Sequence, residues 1–433
     1  MPMRRRRIQL TSVVILALTL AFACAADAVE PNAATSLQSI RVGLMRFKDV
    51  KQITVLASSD YAVTQAGSKE TPVSCTNLEP VTISASQKTM TLKRPNGTTL
   101  EIGASVSIIP KDLAGTISVD SPGKPGKQYH GSLEVSLKSG CLLLVNTVRI
   151  EDYLVGVLAG EMPSSYPIEA LKAQAVAARN YTVQSRGKHA SSGYDLCDSS
   201  HCQVYDGTLR ETPSRQRAVL ATAGQVLTYD GRLASTMYCA DCGGVTECYA
   251  EVHRGNVPYL VMVTEPAGTP HATWSKTYTL AELSAKLIAS GFKEAEGLQK
   301  VAVTKTSSSG RALSVDFAGA KGSISIDGGK LRSLVGRDAI RSTLFTIETA
   351  PDGTVTFKGK GWGHGIGLCQ VGAKALANPP FNYTFDQILA HYYPGTKLTS
   401  IGQADTTGRT PPQPFQRRGG SDAIEVRVTE PRL

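Results

Sequence analysis

The stretch Val148–Thr182, VRIEDYLVGVLAGEMPSSYPIEALKAQAVAARNYT, decides how the rest of the chain is read. Its first part sets Leu154, Val157, Leu158 and Glu161 at helical spacing, with Glu151 and Asp152 at the end where a helix favours negative charge. A second helix opens at Ser165 and Pro167 and carries Ile168, Leu171, Ala175 and Ala178 on one face. Two helices therefore meet at a Met-Pro-Ser corner, and Glu161 is a lone carboxylate on the apolar stripe beside it. Partial burial and the negative end of the helix dipole both disfavour the ionised form, so its pKa should rise. A carboxylic acid still protonated near neutral pH can protonate a leaving oxygen. The plainer reading, an acid that ends a helix and bonds an exposed Lys or Arg, stays open on position alone.

Upstream, from Ser39 to about Lys138, short alternating runs are separated by turns. Met90 and Leu92, then Leu100 and Ile102, flank the Asn96-Gly97 hairpin signal, and Leu133, Val135 and Leu137 alternate in the same way. This predicts a β-rich segment with no catalytic constellation. Downstream the pattern is mixed. TLAELSAKLIASGF carries a capping box of Thr279 and Glu282 and a stripe of Leu280, Leu283 and Leu287. Asp352-Gly353 is a hairpin turn, and GWGHGIGLCQVGAKALA runs from a glycine-rich loop into a small-residue helix. The expected fold class is α+β. The predicted division is a leader over 1–28, a β-rich segment over 29–138, a mixed catalytic domain over 139–400 and a polar, Pro/Gly-rich flexible tail over 401–433.

The leader reading rests on Arg4–Arg7, the apolar run Val13–Ala23 and the small residues of Ala26-Asp27-Ala28, which together make a secretory signal peptide. Cleavage before Cys24, with lipoprotein processing, is the alternative. No other run reaches the roughly 18 apolar residues of a membrane span, so an exported protein with no transmembrane anchor after cleavage is expected, in the periplasm, cell wall or extracellular space. The net charge of +10 over 433 residues falls to +7 when the leader's four arginines and one aspartate are removed. For an exported basic protein this points away from nucleic acid and toward anionic wall polymers or membrane surfaces, or simply to a solvated surface.

His189, Cys197, His201 and Cys202 can supply one loop with four zinc ligands. A Cys197–Cys202 disulfide is the competing reading in an exported chain. With four protein ligands the metal would be structural, because no position is left for water. Cys239, Cys242 and Cys248 lie within ten residues and suit a disulfide or a second metal site. In GKGWGHGIGLCQVGA the glycines allow a sharp turn and close approach to a ligand. Trp362 could stack on a sugar and His364 could bond it, or both could pack a tight turn. Tyr205 in HCQVYDG and Tyr392 in HYYPG are read either as sugar platforms or as core. Lys172, Gln174 and Arg179 either line a groove or are solvated.

VRIEDYLVGVLAGEMPSSYPIEALKAQAVAARNYT, CDSSHCQVYDG, GWGHGIGLCQVGAKALA and ILAHYYPGTKL occur in an order that resembles the stage II sporulation protein D family, which includes amidase enhancers. The resemblance covers about Ser139 to Leu398. It implies a protein acting on peptidoglycan: a lytic transglycosylase cutting between N-acetylmuramic acid and N-acetylglucosamine on strands stripped of stem peptides, with Glu161 as acid/base. It also implies zinc at His189, Cys197, His201 and Cys202, and places Trp362, His364, Gln370 and Tyr205 as sugar contacts. One carboxylate suffices, because the muramic C6 hydroxyl is the nucleophile, whereas an ordinary glycosidase needs two. A cell-wall amidase is the implied partner in the rival, non-catalytic reading. Cys369 and Val371 stand where such proteins usually have a small polar residue and an aromatic one.

Overall fold

In the computed structural model, residues 38–65, 73–112 and 114–406 are described. The leader with Cys24 and the tail from 407 onward lie outside them. The architecture is α+β. A seven-stranded sheet runs in the order Leu196–Cys197, Ser39–Gly43, Cys141–Arg149, Ser132–Lys138, Ser105–Pro110, Tyr61–Gln65, Val73–Cys75. A six-stranded sheet runs Lys124–His130, Thr116–Ser121, Gln52–Ala57, Val81–Ala85, Met90–Lys93, Thr99–Glu101. The alternation read from sequence becomes burial alternation: Met90, Leu92, Leu133 and Val135 are at 1% exposure or less. The Asn96-Gly97 turn joins two paired strands, with Gly97 at φ 90°.

Strand Cys141–Arg149 runs directly into α1 (Ile150–Glu161), which is followed by α2 (Ile168–Gln184) and α3 (Pro213–Ala221). Helix α2 is buried on every side, not on one stripe. Five of its residues are alanines, whose small side chains let neighbouring elements pack closely. Two of its buried polar residues, Arg179 and Asn180, are held by specific partners. Arg179 donates to both Glu151 oxygens (3.0 and 2.5 Å) and to the Gln225 carbonyl, and Asn180 brackets the strand Gln225–Tyr229 through the carbonyls of Leu227 and Ala234 and the Leu227 N–H. Arg179 is thus an internal brace, neither groove lining nor solvated.

After the short helix α4 (Tyr249–Val252) the chain leaves this core and builds a second one. There α5 (Leu280–Ala289) and α6 (Gly328–Val335) pack with two three-stranded sheets around Leu283, Leu287, Phe317, Leu331 and Phe357. The Thr279–Glu282 capping box forms at the start of α5, and the Asp352-Gly353 turn joins Phe345–Thr349 to Thr354–Lys360. The chain then returns through the glycine-rich loop to α7 (Gln370–Ala377) and α8 (Phe385–Tyr392), both in the first core with the β-rich segment.

Candidate active site and metal centre

Glu161 is the last residue of α1. Two glycines one turn apart on that helix, Gly156 and Gly160, let it lie flush against the segment 204–207. A Cβ at Gly160 would stand 2.7 Å from Val204 Cγ1, and one at Gly156 2.5 Å from the Tyr205 ring. The close approach delivers the Val204 N–H to Glu161 Oε1 at 3.1 Å. Gln370, the first residue of α7, contributes a second hydrogen bond to the carboxyl. Burial raises the Glu161 pKa above the ordinary glutamate value, and the two hydrogen bonds, Val204 first and then Gln370, only partly offset it. No second carboxylate is among the groups that set its protonation.

The surroundings are a buried polar network. Gln370 Nε2 reaches Gln174 Oε1 at 3.5 Å, and Gln174 Nε2 has no hydrogen-bond partner among the described residues. Gln203 accepts from Thr182 Oγ1 (2.9 Å) and Tyr153 Oη (3.3 Å) and donates to Tyr238 Oη (2.9 Å). The loop Met162–Pro167 closes one side, with the Lys374 ammonium of α7 over the Tyr166 ring at 5.2 Å. Lys172 pairs with Glu169 at 2.7 Å on the same helix.

Trp362 is 41% exposed, and the Arg341 guanidinium lies 4.7 Å from its ring centre. Arg341 also borders a hollow of about 480 Å³ lined by Trp274, Lys276 and Asp338. His364 has turned inward. Its Nδ1 accepts the Ile366 N–H at 2.9 Å, and the ring also bonds the backbone of Tyr238. Burial, reinforced by Arg332, His253 and Arg311, pulls its pKa down to about 3, so it is a neutral turn-former with no nitrogen to offer a sugar. Tyr205 is 4% exposed. Its ring packs on Tyr129, Tyr153 and Gly156 and its hydroxyl donates to Asn146 Oδ1 at 3.1 Å, so it is core. Tyr392 is also core, its hydroxyl on both Glu265 oxygens at 2.9–3.0 Å. Val204, which acts through its backbone, carries no chemistry in its side chain that would single it out. Its place two residues after Cys202 was the one available clue.

His189, Cys197, His201 and Cys202 converge, all four ligand atoms lying within 4.8 Å of one another. Cys202 Sγ is 3.3 Å from His189 Nε2 and 3.6 Å from His201 Nδ1, and Cys197 Sγ is 3.7 Å from His201 Nδ1. The edges of a tetrahedral zinc site with two sulfurs and two nitrogens are roughly 3.4–3.8 Å, so the donor set and spacing suit that ion. Both sulfurs are free thiols. The thiols share a proton by hydrogen bonding: Cys202 donates, which pulls the Cys197 pKa down and pushes its own up.

The loop is anchored to the β-rich segment. Leu196 and Cys197 pair in parallel with Val42 and Gly43, and Asp198 Oδ1 accepts the Met45 N–H at 2.9 Å. Among the described residues no helix is long and apolar enough to cross a membrane.

Residues 138–229 match the family model described as Stage II sporulation protein, and residues 263–367 match one described as a domain of unknown function (DUF8618). An uncharacterized protein of Brachyspira hyodysenteriae is 32% identical over 282 residues, covering 65% of this chain and 74% of that one. The amidase enhancer of Bacillus subtilis is 32% identical over 294 residues, 57% of this chain and 40% of its own length. The stage II sporulation protein D of Bacillus subtilis is 30% identical over 272 residues, 59% of this chain and 76% of that protein. The helical corner, the His/Cys loop and the glycine-rich return all fall within a chain of this likeness, which belongs to the stage II sporulation protein D family.

Proposed function

We propose that the protein is an exported lytic transglycosylase that cleaves peptidoglycan glycan strands, with Glu161 as acid and then base. The observation that carries the reading is the carboxyl itself. It is held at a helix end by one N–H and one amide, its pKa is raised by burial, and no second carboxylate acts on it. Such a group suits a reaction in which the substrate supplies the nucleophile. Glu161 gives its proton to the oxygen bridging N-acetylmuramic acid and N-acetylglucosamine, and the C1–O bond breaks. The muramic C6 hydroxyl attacks C1 and closes a 1,6-anhydro ring, and its proton passes to the Glu161 carboxylate, which restores the acid. No water is consumed, so no second carboxylate is needed to activate one.

Gln370 orients the carboxyl and is itself steadied by the Gln174 side-chain oxygen. Trp362 is the exposed aromatic surface for a sugar ring. His189, Cys197, His201 and Cys202 would hold a zinc ion, which supplies a structural tie and, with four protein ligands, no open coordination position. Within this chain the loop sets Gln203 and Val204, and through them the Glu161 carboxyl.

The test is a mass spectrum of products from peptide-free glycan strands. Wild-type protein should release 1,6-anhydro-muramic ends, and Glu161→Gln should lose about 10²–10⁴-fold in rate, the usual contribution of a positioned acid. Full activity in the Gln variant would refute the assignment. The likeness to an amidase enhancer supports a second reading, a wall-binding protein that stimulates a separate N-acetylmuramoyl-L-alanine amidase. That reading predicts stimulation indifferent to Glu161→Gln and no anhydro product.

A further inference from the structure

A second cluster of metal-type ligands lies behind the glycine-rich loop, away from the His/Cys loop. Cys242 Sγ, Cys369 Sγ and a Glu265 carboxylate oxygen lie within 4.8 Å of one another, and all three residues are buried. They come from separate parts of the chain, which argues against a local turn that happens to gather polar groups. Cys239 stands next to this group as the register partner of Cys369 between the strands Tyr238–Cys239 and Leu368–Cys369.

The surroundings aim donors at Cys369 and Glu265. Cys369 Sγ accepts backbone N–H groups from Cys242 at 3.2 Å and Gly372 at 3.4 Å. Cys242 Sγ lies 3.1 Å from Glu265 Oε1, and the Tyr392 hydroxyl secures the carboxylate. Gly372 has no room for a side chain, because a Cβ there would stand 1.9 Å from Glu265 Oε2, so the carboxylate rests directly on the first turn of α7. A buried carboxylate packed against two thiols is costly without a cation and has no use in a disulfide, whereas a dication explains the carboxylate, the thiols and the hydrogen bonds that hold them.

We propose that Cys242, Cys369 and Glu265 form a second metal site for a thiolate-preferring divalent cation, Zn²⁺ in the first instance. The site fastens the residue immediately before Gln370, and so fixes the start of α7 beside Glu161.

The experiment is elemental analysis of the full chain equilibrated with Zn²⁺ and freed of excess. The wild type should carry two equivalents, Cys202→Ser one, Cys369→Ser one, and the double variant none. A wild type with a single equivalent that Cys202→Ser removes would overturn the proposal, as would an intact mass lower by two hydrogens with a linked Cys242–Cys369 peptide. Because Cys369→Ser could unfold the chain, Tyr392→Phe and Glu265→Gln provide milder probes. The first should weaken the second zinc about 10–100-fold while leaving the other in place, and the second should abolish its retention. In Cys202→Ser loaded with Co²⁺, a thiolate-to-cobalt absorption band should persist. Absence of that band, or retention of both zincs by both milder variants, sinks the idea.

Discussion

Glu161 is a residue whose ionisation the fold resists. Burial raises its folded-state pKa above the unfolded value of 4.5, so between those two values the native state holds more protons than the unfolded one. Stability contributed by this group is therefore complete below the unfolded pKa and is lost as pH rises through the folded one. Glu161→Gln keeps the oxygen that accepts the Val204 N–H and removes the ionisation. We expect the variant to melt higher than wild type at neutral pH, with the gap in Tm closing below about pH 4.5, while turnover is lost. A Gln protein that melts lower at pH 7 would contradict the assigned burial. In the wild type the rate should fall on the alkaline side, as pH climbs through the same raised pKa and the acid loses its proton, which a rate profile on peptide-free strands would read out.

At the same scale, the sequence showed the acid but not every companion. An aromatic within a recurring motif looks the same whether it faces a sugar or a core, and Tyr205 and Tyr392 turned out to be core because Asn146 and Glu265 were waiting inside for their hydroxyls. His364 was indistinguishable from a ligand-binding histidine until its nitrogens were seen bonding the backbone.

Among elements, α1 depends on its glycines for position. Gly160→Ala would drive a methyl against Val204 Cγ1 and the Val204 carbonyl, both under 3.0 Å. Alanine favours the helix by about 1 kcal/mol, but overpacking costs roughly 1–3 kcal/mol, so the net change in stability should be small. The displaced Val204 N–H, however, no longer meets Glu161. We expect activity to fall more than tenfold with Tm within a few degrees of wild type, measured by the same product assay and a thermal melt. Periodicity revealed that α1 and α2 exist and where they turn. It could not reveal that α2 is buried all round, since a run of alanines with Gln174, Arg179 and Asn180 reads as half solvated until their partners, far away in sequence, are known.

Over the whole molecule, the compositional change near Lys138 does not coincide with a break in the core. Strand Cys141–Arg149 pairs with Ser39–Gly43 on one edge and Ser132–Lys138 on the other, and the apolar cluster runs from Ile40 through Tyr393. The separate core lies instead within 274–357, inside the region matching the domain of unknown function. Sequence pattern could locate hairpins in both regions but not assign them to cores, because that depends on contacts between distant strands. Residues 139–400 expressed without the preceding β-rich segment should be insoluble or lack a cooperative melt, since a sheet edge and its apolar face would be bared. A sharp, native-like melt from that fragment would contradict the shared core.

The strand Ser39–Gly43 lies between two partners that both come later in the chain, Cys141–Arg149 and Leu196–Cys197. In a polypeptide that emerges N-terminus first, this strand must wait roughly a hundred residues for its first neighbour and still longer for its second. Closure around it is therefore a late event in assembly: the His/Cys loop it pins can form only when nearly half the chain has been made, and the carboxyl that loop positions waits further for Gln370. Whatever guards the unpaired edge during that interval governs the yield of working protein.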